Sequence, residues 1–282
     1  MPSEVNVAEA LREAAQRLAT SSDTARLDAE LLMAEALGVS RSDLLLRHMS
    51  SAAPAAFGAL VARRARHEPV AYILGRQEFY GRSFAVGPGV LIPRGDSETI
   101  VEAALALSPA PRRVLDCGVG SGALLLTVLA ERPSAEGVGI DRSPDALQIA
   151  AANAAALLPG ASVEMLRRDW HDPDWAVGLG RFDLILANPP YVEEDAELDP
   201  DVRGWEPRGA LFAGADGLDD YRVLIPQLPA LLAEGGAAVL EIGAVQAEAV
   251  GALAAAAGFD HTLRHDLAGR PRAILLRLTL GK

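Results

Sequence analysis

The stretch Arg181–Tyr191, RFDLILANPPY, constrains this chain more than any other. Phe182, Leu184, Ile185 and Leu186 form a short apolar run, partly β-branched, with the pattern of a buried strand. Asn188-Pro189-Pro190-Tyr191 ends it, because two prolines cannot continue a central ladder. Proline also drives Asn188 into an extended conformation, so the carbonyls of Asn188 and Pro189 gain no helical partner. The strand stops in a rigid corner that carries an amide oxygen, backbone carbonyls and an aromatic face. Such a corner suits a planar group with N–H donors, an amide or an exocyclic amine. The plainer alternative is a strand-ending turn with an ordinary tyrosine, and one motif does not decide between them.

The rest of the second half alternates strand and helix. Arg113–Asp116 reads as a strand, followed by Cys117-Gly118-Val119-Gly120-Ser121-Gly122 and a helix over Ala123–Glu131. Gly137–Asp141 is the next strand, with its helix over Pro144–Leu157. Val163–Leu166 and Phe182–Ala187 are the third and fourth strands. A helix over Asp219–Ala233 leads to a fifth at Ala238–Ile242, and Gln246–Ala257 is the last helix. His261–His265 and Ala273–Leu278 flank a Gly269-Arg270-Pro271 turn and must be antiparallel to each other. Such alternation predicts a doubly wound, mostly parallel α/β sheet with an antiparallel last strand.

In that architecture a ligand lies at the carboxyl ends of the strands, near the switch in strand order. Gly118, Gly120 and Gly122 follow the first strand directly and allow the backbone to approach a ligand closely. Asp141 ends the second strand, at the distance past the glycines where an acid accepts ribose hydroxyls. Together they point to a nucleoside-containing cofactor. Asp169 and Trp170, after the third strand, reach the same rim. There Asp169 suits an adenine amino group and Trp170 suits the ring's face; a tryptophan that only closes the loop is the alternative.

Before these elements lies a helical region, residues 1–75. Val7, Leu11, Ala14 and Leu18 share one helical face. Asp23 is placed to cap a second helix, with Leu27, Leu31, Ala34 and Leu37 as its apolar stripe and Gly38 as its stop. A third covers Arg41–Met49 and a fourth runs from Pro54 to Arg66. Arg63, Arg64, Arg66 and His67 read as a solvated helix end, with a docking patch for an acidic partner as the alternative. Residues 76–92 shift to period two and read as a β-hairpin connector around Gly81-Arg82. In the remainder, residues 93–282, Asp96 and Ser97 are expected to cap a helix carrying Ile100, Val101 and Ala104, while Arg94 stays open.

Composition narrows the setting. The chain has 282 residues and a net charge of −12, which opposes non-specific binding to nucleic-acid phosphates. It has no apolar run of about 18 residues and no leader-like start, so neither a membrane nor secretion is expected. The single Cys117 reads as a buried hydrophobe and agrees with a reducing cytoplasm. The five histidines lack metal-ligand spacing, so no metal is expected.

In combination, DCGVGSG, Asp141, Asp169-Trp170 and NPPY resemble an S-adenosylmethionine-dependent methyltransferase acting on a planar nitrogen, and NPPY itself is shared with adenine-N6 DNA methyltransferases. The segments RLDAELL from Arg26, PVAYILG from Pro69, EFYG from Glu78, LIPR from Leu91, WEPRGAL from Trp205 and DGL from Asp216 are similar to bacterial release factor glutamine methyltransferases along nearly the whole chain. That resemblance implies a methyltransferase-type sheet domain and a small N-terminal helical domain that helps hold the release factor; the acidic balance and the lack of a basic domain set the expectation of no direct contact with nucleic acid. It implies methylation of the glutamine amide nitrogen in the Gly-Gly-Gln motif, with S-adenosylhomocysteine as product. Asn188, Pro189 and Tyr191 would be catalytic, and Asn188 through Tyr191, including Pro190, would hold the substrate. Gly118, Val119, Gly120, Ser121, Gly122, Asp141, Asp169, Trp170 and Asn188 would hold the cofactor. Gly95 and Ser97 stand where the family commonly has proline and threonine, and Val119 and Ser121 where it more often has threonines. A glutamine methyltransferase of a ribosomal protein and an adenine-N6 nucleic-acid methyltransferase are the rival readings.

Overall fold

The computed structural model describes residues 5–279, which form two compact units. One runs to Arg76 and takes in the separate segment Leu198–Trp205; the other comprises Gln77–Glu197 and the chain from Glu206.

The first unit is helical, with helices Val7–Leu18, Ala25–Leu37, Phe57–Arg64 and Val70–Leu74, and a short helix Arg41–Asp43 continuing as a π turn to His48. Asn6 and Glu9 form a reciprocal capping box at the first helix, whose predicted face Val7, Leu11, Ala14 and Leu18 is buried. The second helix differs from the sequence expectation. Ala34 is buried as expected, but Leu27 is exposed, and Ala29, Leu32 and Met33 share the buried face with Asp28 and Glu30. Charge pairing turns it: Asp28 accepts from Arg64 Nε at 2.7 Å, and Glu30 pairs with Arg26 and Arg41. Asp23 does not cap; Thr24 takes that position, and its hydroxyl donates to Asp28 at 2.9 Å. Nor is Arg64 a solvated helix end. It is buried, and pairs with both Asp28 and Asp201, which ties the segment 198–205 to this unit. Removing one member of such a buried pair costs about 3–5 kcal/mol.

The second unit opens with a hairpin, β1 (Arg76–Phe79) and β2 (Arg82–Ala85). Tyr80 and Gly81 both have positive φ, +51° and +71°, the combination of a two-residue type I′ turn. Seven further strands make one sheet: β3 (Arg113–Cys117), β4 (Glu136–Asp141), β5 (Val163–Arg167), β6 (Phe182–Ala187), β7 (Leu232–Glu241), β8 (Phe259–His265) and β9 (Pro271–Leu278). Their order is β5-β4-β3-β6-β7-β9-β8. The first five are parallel, and β9 is antiparallel to both of its neighbours. Both faces are covered. Leu184 and Leu186 pack with Val114, Val239 and the helices Glu98–Leu107 and Ala123–Glu131. Ile185 and Ala187 point the other way, into the cluster of Tyr221, Leu224, Leu228 and Val250. This alternation is what makes a central strand read as continuously apolar.

One predicted helix is broken. Asp219–Leu224 passes through a 3₁₀ turn, Ile225–Gln227, into Leu228–Leu231, and β7 already begins at Leu232. Pro226 and Pro229 each lack the N–H a continuous helix needs there. No helix of the described residues is long and apolar enough to cross a membrane.

Candidate active site

The chain winds outward from β3 through β4 to β5, then returns to place β6 and β7 on the other side of β3. The reversal falls between β3 and β6, whose last residues Cys117 and Ala187 are paired. The glycine loop and the Asn188 corner therefore leave the sheet side by side. A cavity of about 360 Å³ opens there, within the range of small-molecule sites. Gly118, Val119, Gly120, Ser121, Asp141, Asp169, Trp170, Asn188 and Pro190 all contribute to its wall. Gly122, Pro189 and Tyr191 are not part of it.

The loop is shaped by backbone. The Gly118 and Val119 amides both donate to the Ile140 carbonyl, at 2.9 and 2.8 Å. Gly118 has φ +82°, and a Cβ there would sit 3.2 Å from the Trp170 ring, so the indole lies against the bare backbone. Gly122 serves packing instead: a Cβ would meet Leu126 at 2.8 Å. Asp141 binds the loop to β4, its carboxylate accepting from the Gly120 amide at 3.0 Å and the Ser143 amide at 2.9 Å.

Three of the carboxylates that line the cavity, Asp116, Asp141 and Asp169, differ in their electrostatics. Asp116, at the end of β3, is almost fully buried; one oxygen accepts from the Leu125 amide and the other has no partner. Burial, opposed by the Leu125 hydrogen bond and reinforced by the charge of Asp141, pushes its pKa up to about 7. Burial also raises Asp141, against the amides that it accepts from. Asp169 is partly exposed; the desolvation that would raise it is outweighed by hydrogen bonds from His171, and it lies below the usual carboxylate range. The Trp170 ring is anchored from behind, its Nε1 donating to Asp220 at 2.9 Å.

On the corner, the side chain of Asn188 is half-buried in the cavity wall and has no hydrogen-bond partner among the described residues. Tyr191 is held at three points. Its amide donates to the Leu211 carbonyl at 3.2 Å, its carbonyl accepts from Gln246 Nε2 at 3.0 Å, and its hydroxyl donates to Glu241 at 3.1 Å. Burial first, and the Glu241 carboxylate next, push the phenol pKa upward.

The segment before the first sheet helix contradicts its sequence reading. Neither Asp96 nor Ser97 caps the helix Glu98–Leu107; the Ser97 hydroxyl donates to Glu241 at 2.5 Å and Asp96 pairs with Arg272. Arg94, left open by the sequence, pairs with the buried Glu206, which also accepts from the Ile92 amide. Sequence reasoning missed Glu206, Asp220, Glu241 and Gln246, whose partners are distant in the chain. Asp116 gave a readable signal, an acid immediately before a glycine loop.

Comparison with known proteins agrees with this geometry. Residues 9–75 match the family model described as PrmC N-terminal domain, and residues 110–212 match a methyltransferase domain. The release factor glutamine methyltransferase of Cereibacter sphaeroides is 44% identical over 282 residues, covering 97% of this chain and 99% of that protein. The protein of the same name from Geobacter sulfurreducens is 45% identical over 242 residues, 84% of each chain. Among solved structures, a ribosomal protein L11 methylase from Lactobacillus delbrueckii subsp. bulgaricus shares the fold at 21% identity, with a TM-score of 0.51 over 72% of this chain and 90% of its own. A sheet whose strand reversal carries a glycine loop beside an NPPY corner, and near-full-length identity to such relatives, lead to one assignment: the chain belongs to the release factor glutamine methyltransferase family.

Proposed function

We propose that this chain transfers a methyl group from S-adenosylmethionine to the side-chain amide nitrogen of the glutamine in the Gly-Gly-Gln motif of bacterial release factors, acting in the cytoplasm. The observation that carries the reading is the unpartnered Asn188 amide on the cavity wall beside the glycine loop.

The residues present fit the cofactor. Asp116 has an orphaned, buried carboxylate oxygen suited to the ammonium of the methionine end. Asp141 suits the ribose hydroxyls, Asp169 the adenine amino group, and the anchored Trp170 ring the flat base. Gly118, Val119, Gly120 and Ser121 supply a backbone wall. When bound, the sulfonium supplies an electrophilic methyl group and accepts the electron pair of its broken carbon–sulfur bond.

The chain has to align and polarise a poor nucleophile, an amide nitrogen whose lone pair is delocalised into its carbonyl. The side-chain oxygen of Asn188 and the carbonyl of Pro189 accept the two N–H bonds, turning the lone pair toward the methyl group. As the new N–C bond forms, positive charge grows on nitrogen, and the same two oxygens stabilise it. The proton then leaves to solvent, so no strong general base is needed. Pro190 and the Tyr191 ring bound the amide and keep water away. The helical unit, matched by the PrmC N-terminal domain, docks the release factor.

The test is methyl transfer from labelled cofactor to a purified release factor and to its Gln→Ala variant in the Gly-Gly-Gln loop. Incorporation into the first alone supports the reading. Incorporation into a ribosomal protein or duplex DNA instead would replace it with one of the rival substrates.

A further inference from the structure

Glu241 ends β7 with 1% of its surface exposed. Burying a carboxylate costs far more than burying an apolar side chain of similar volume, so its neighbours must repay the loss. Each oxygen has its own donor: Tyr191 Oη reaches Oε1 at 3.1 Å and Ser97 Oγ reaches Oε2 at 2.5 Å. Those two hydroxyls belong to two segments far apart in the chain. Tyr191 closes the Asn188-Pro189-Pro190 corner, whereas Ser97 lies in the segment that lines the cavity with Pro93 and Arg94. Tyr191 has little freedom left, because Gln246 Nε2 bridges its carbonyl and that of Gly217, and Leu211 takes its amide. Two prolines transmit that fixed orientation to Asn188, since their φ angles are locked.

We infer that Glu241 is the positioning residue of the proposed methyl transfer, holding the substrate corner through the Tyr191 hydroxyl and registering it against the Ser97 segment of the cavity wall. This rests on the function proposed above. It accounts for a tyrosine rather than a phenylalanine at 191: the hydroxyl is a tether to Glu241. Glu241 touches no reacting atom, so its loss acts on alignment, where an error near 1 Å costs on the order of 10²-fold in rate.

The test compares wild type, Tyr191→Phe, Glu241→Gln and the double variant on a purified release factor. It measures kcat and KM, with cofactor affinity by calorimetry. A carboxamide replaces one acceptor oxygen by an NH2 donor and removes the charge, so Glu241→Gln reverses one of the two hydroxyl contacts and weakens both charge-assisted bonds. Each single variant is expected to lower kcat about 10-fold or more, with KM and cofactor Kd within about 2-fold of wild type. The double variant should be no worse than the more impaired single, because both changes cut one tether. Should Glu241→Gln not fold, the kcat loss and unchanged Kd of Tyr191→Phe carry the same expectation. Singles with wild-type kcat, multiplicative losses in the double, or a loss confined to cofactor affinity would overturn the role of Glu241 while leaving the function intact. A wild-type chain inactive on the release factor would overturn both.

Discussion

The two walls of the cavity are built on opposite plans. The glycine-loop wall is mostly backbone, tied down by Asp141 and reached by carboxylates whose charge is only partly neutralised. The corner wall has prolines in place of glycines, and its Tyr191 is fixed from behind, the hydroxyl by Glu241 and the backbone carbonyl by Gln246. A wall of the first kind wraps a large ligand with many polar groups. The second holds one small group in one orientation. Affinity should therefore reside in the first wall and rate in the second.

Asn188→Ala is the largest expected departure. It should lower turnover by about 10²–10³-fold, the usual loss of one preorganised polar group, while cofactor affinity stays near that of wild type. Single-turnover rates paired with calorimetry check it, and near-normal turnover would erase the contrast between the walls.

Asp141→Ala should do the reverse. Removing a charged acceptor of the ribose costs about 1.5–3 kcal/mol, or about 10- to 100-fold in cofactor Kd. The Gly120 amide also loses its partner. An unchanged calorimetric affinity would contradict the assignment.

Asp116 sharpens the comparison through pH. Its pKa of about 7 in the free chain means that it holds a proton at lower pH. An ammonium favours the ionised form, so binding below pH 7 must expel that proton. Cofactor affinity should fall as pH drops below about 7, by at most about tenfold per unit, and level off above it. Calorimetry in two buffers of different ionisation enthalpy should report proton release near pH 6.5, and Asp116→Asn should abolish it.

The succession of strands and helices, the mostly parallel sheet and the cavity's position were readable because they follow from local rules: apolar runs, glycines directly after a strand, prolines that stop one. Burial in the helical unit was less readable. Leu27 looks like core and Asp28 like surface, yet Arg64, distant in sequence, reverses them. Ser97 and Asp96 likewise look like caps, because capping is the nearest use for a short polar side chain before a helix. Their partners, Glu241 and Arg272, come more than a hundred residues later. Glu241 itself reads as an ordinary strand end; its orientation depends on which face of β7 meets the corner. Pairings of that range leave no trace in a single sequence.

The placement of β9 bears on how the molecule is made. A ribosome delivers β8 before β9, yet β8 ends at the margin of the sheet with β9 between it and β7. Until β9 arrives, β7 has a bare edge on the side away from β6, and β8 has no strand to pair with. Paired with each other as a hairpin, the two strands complete the edge of the sheet that carries Glu241. Until then, the emerging chain carries an unprotected strand, the kind of species on which chaperones act.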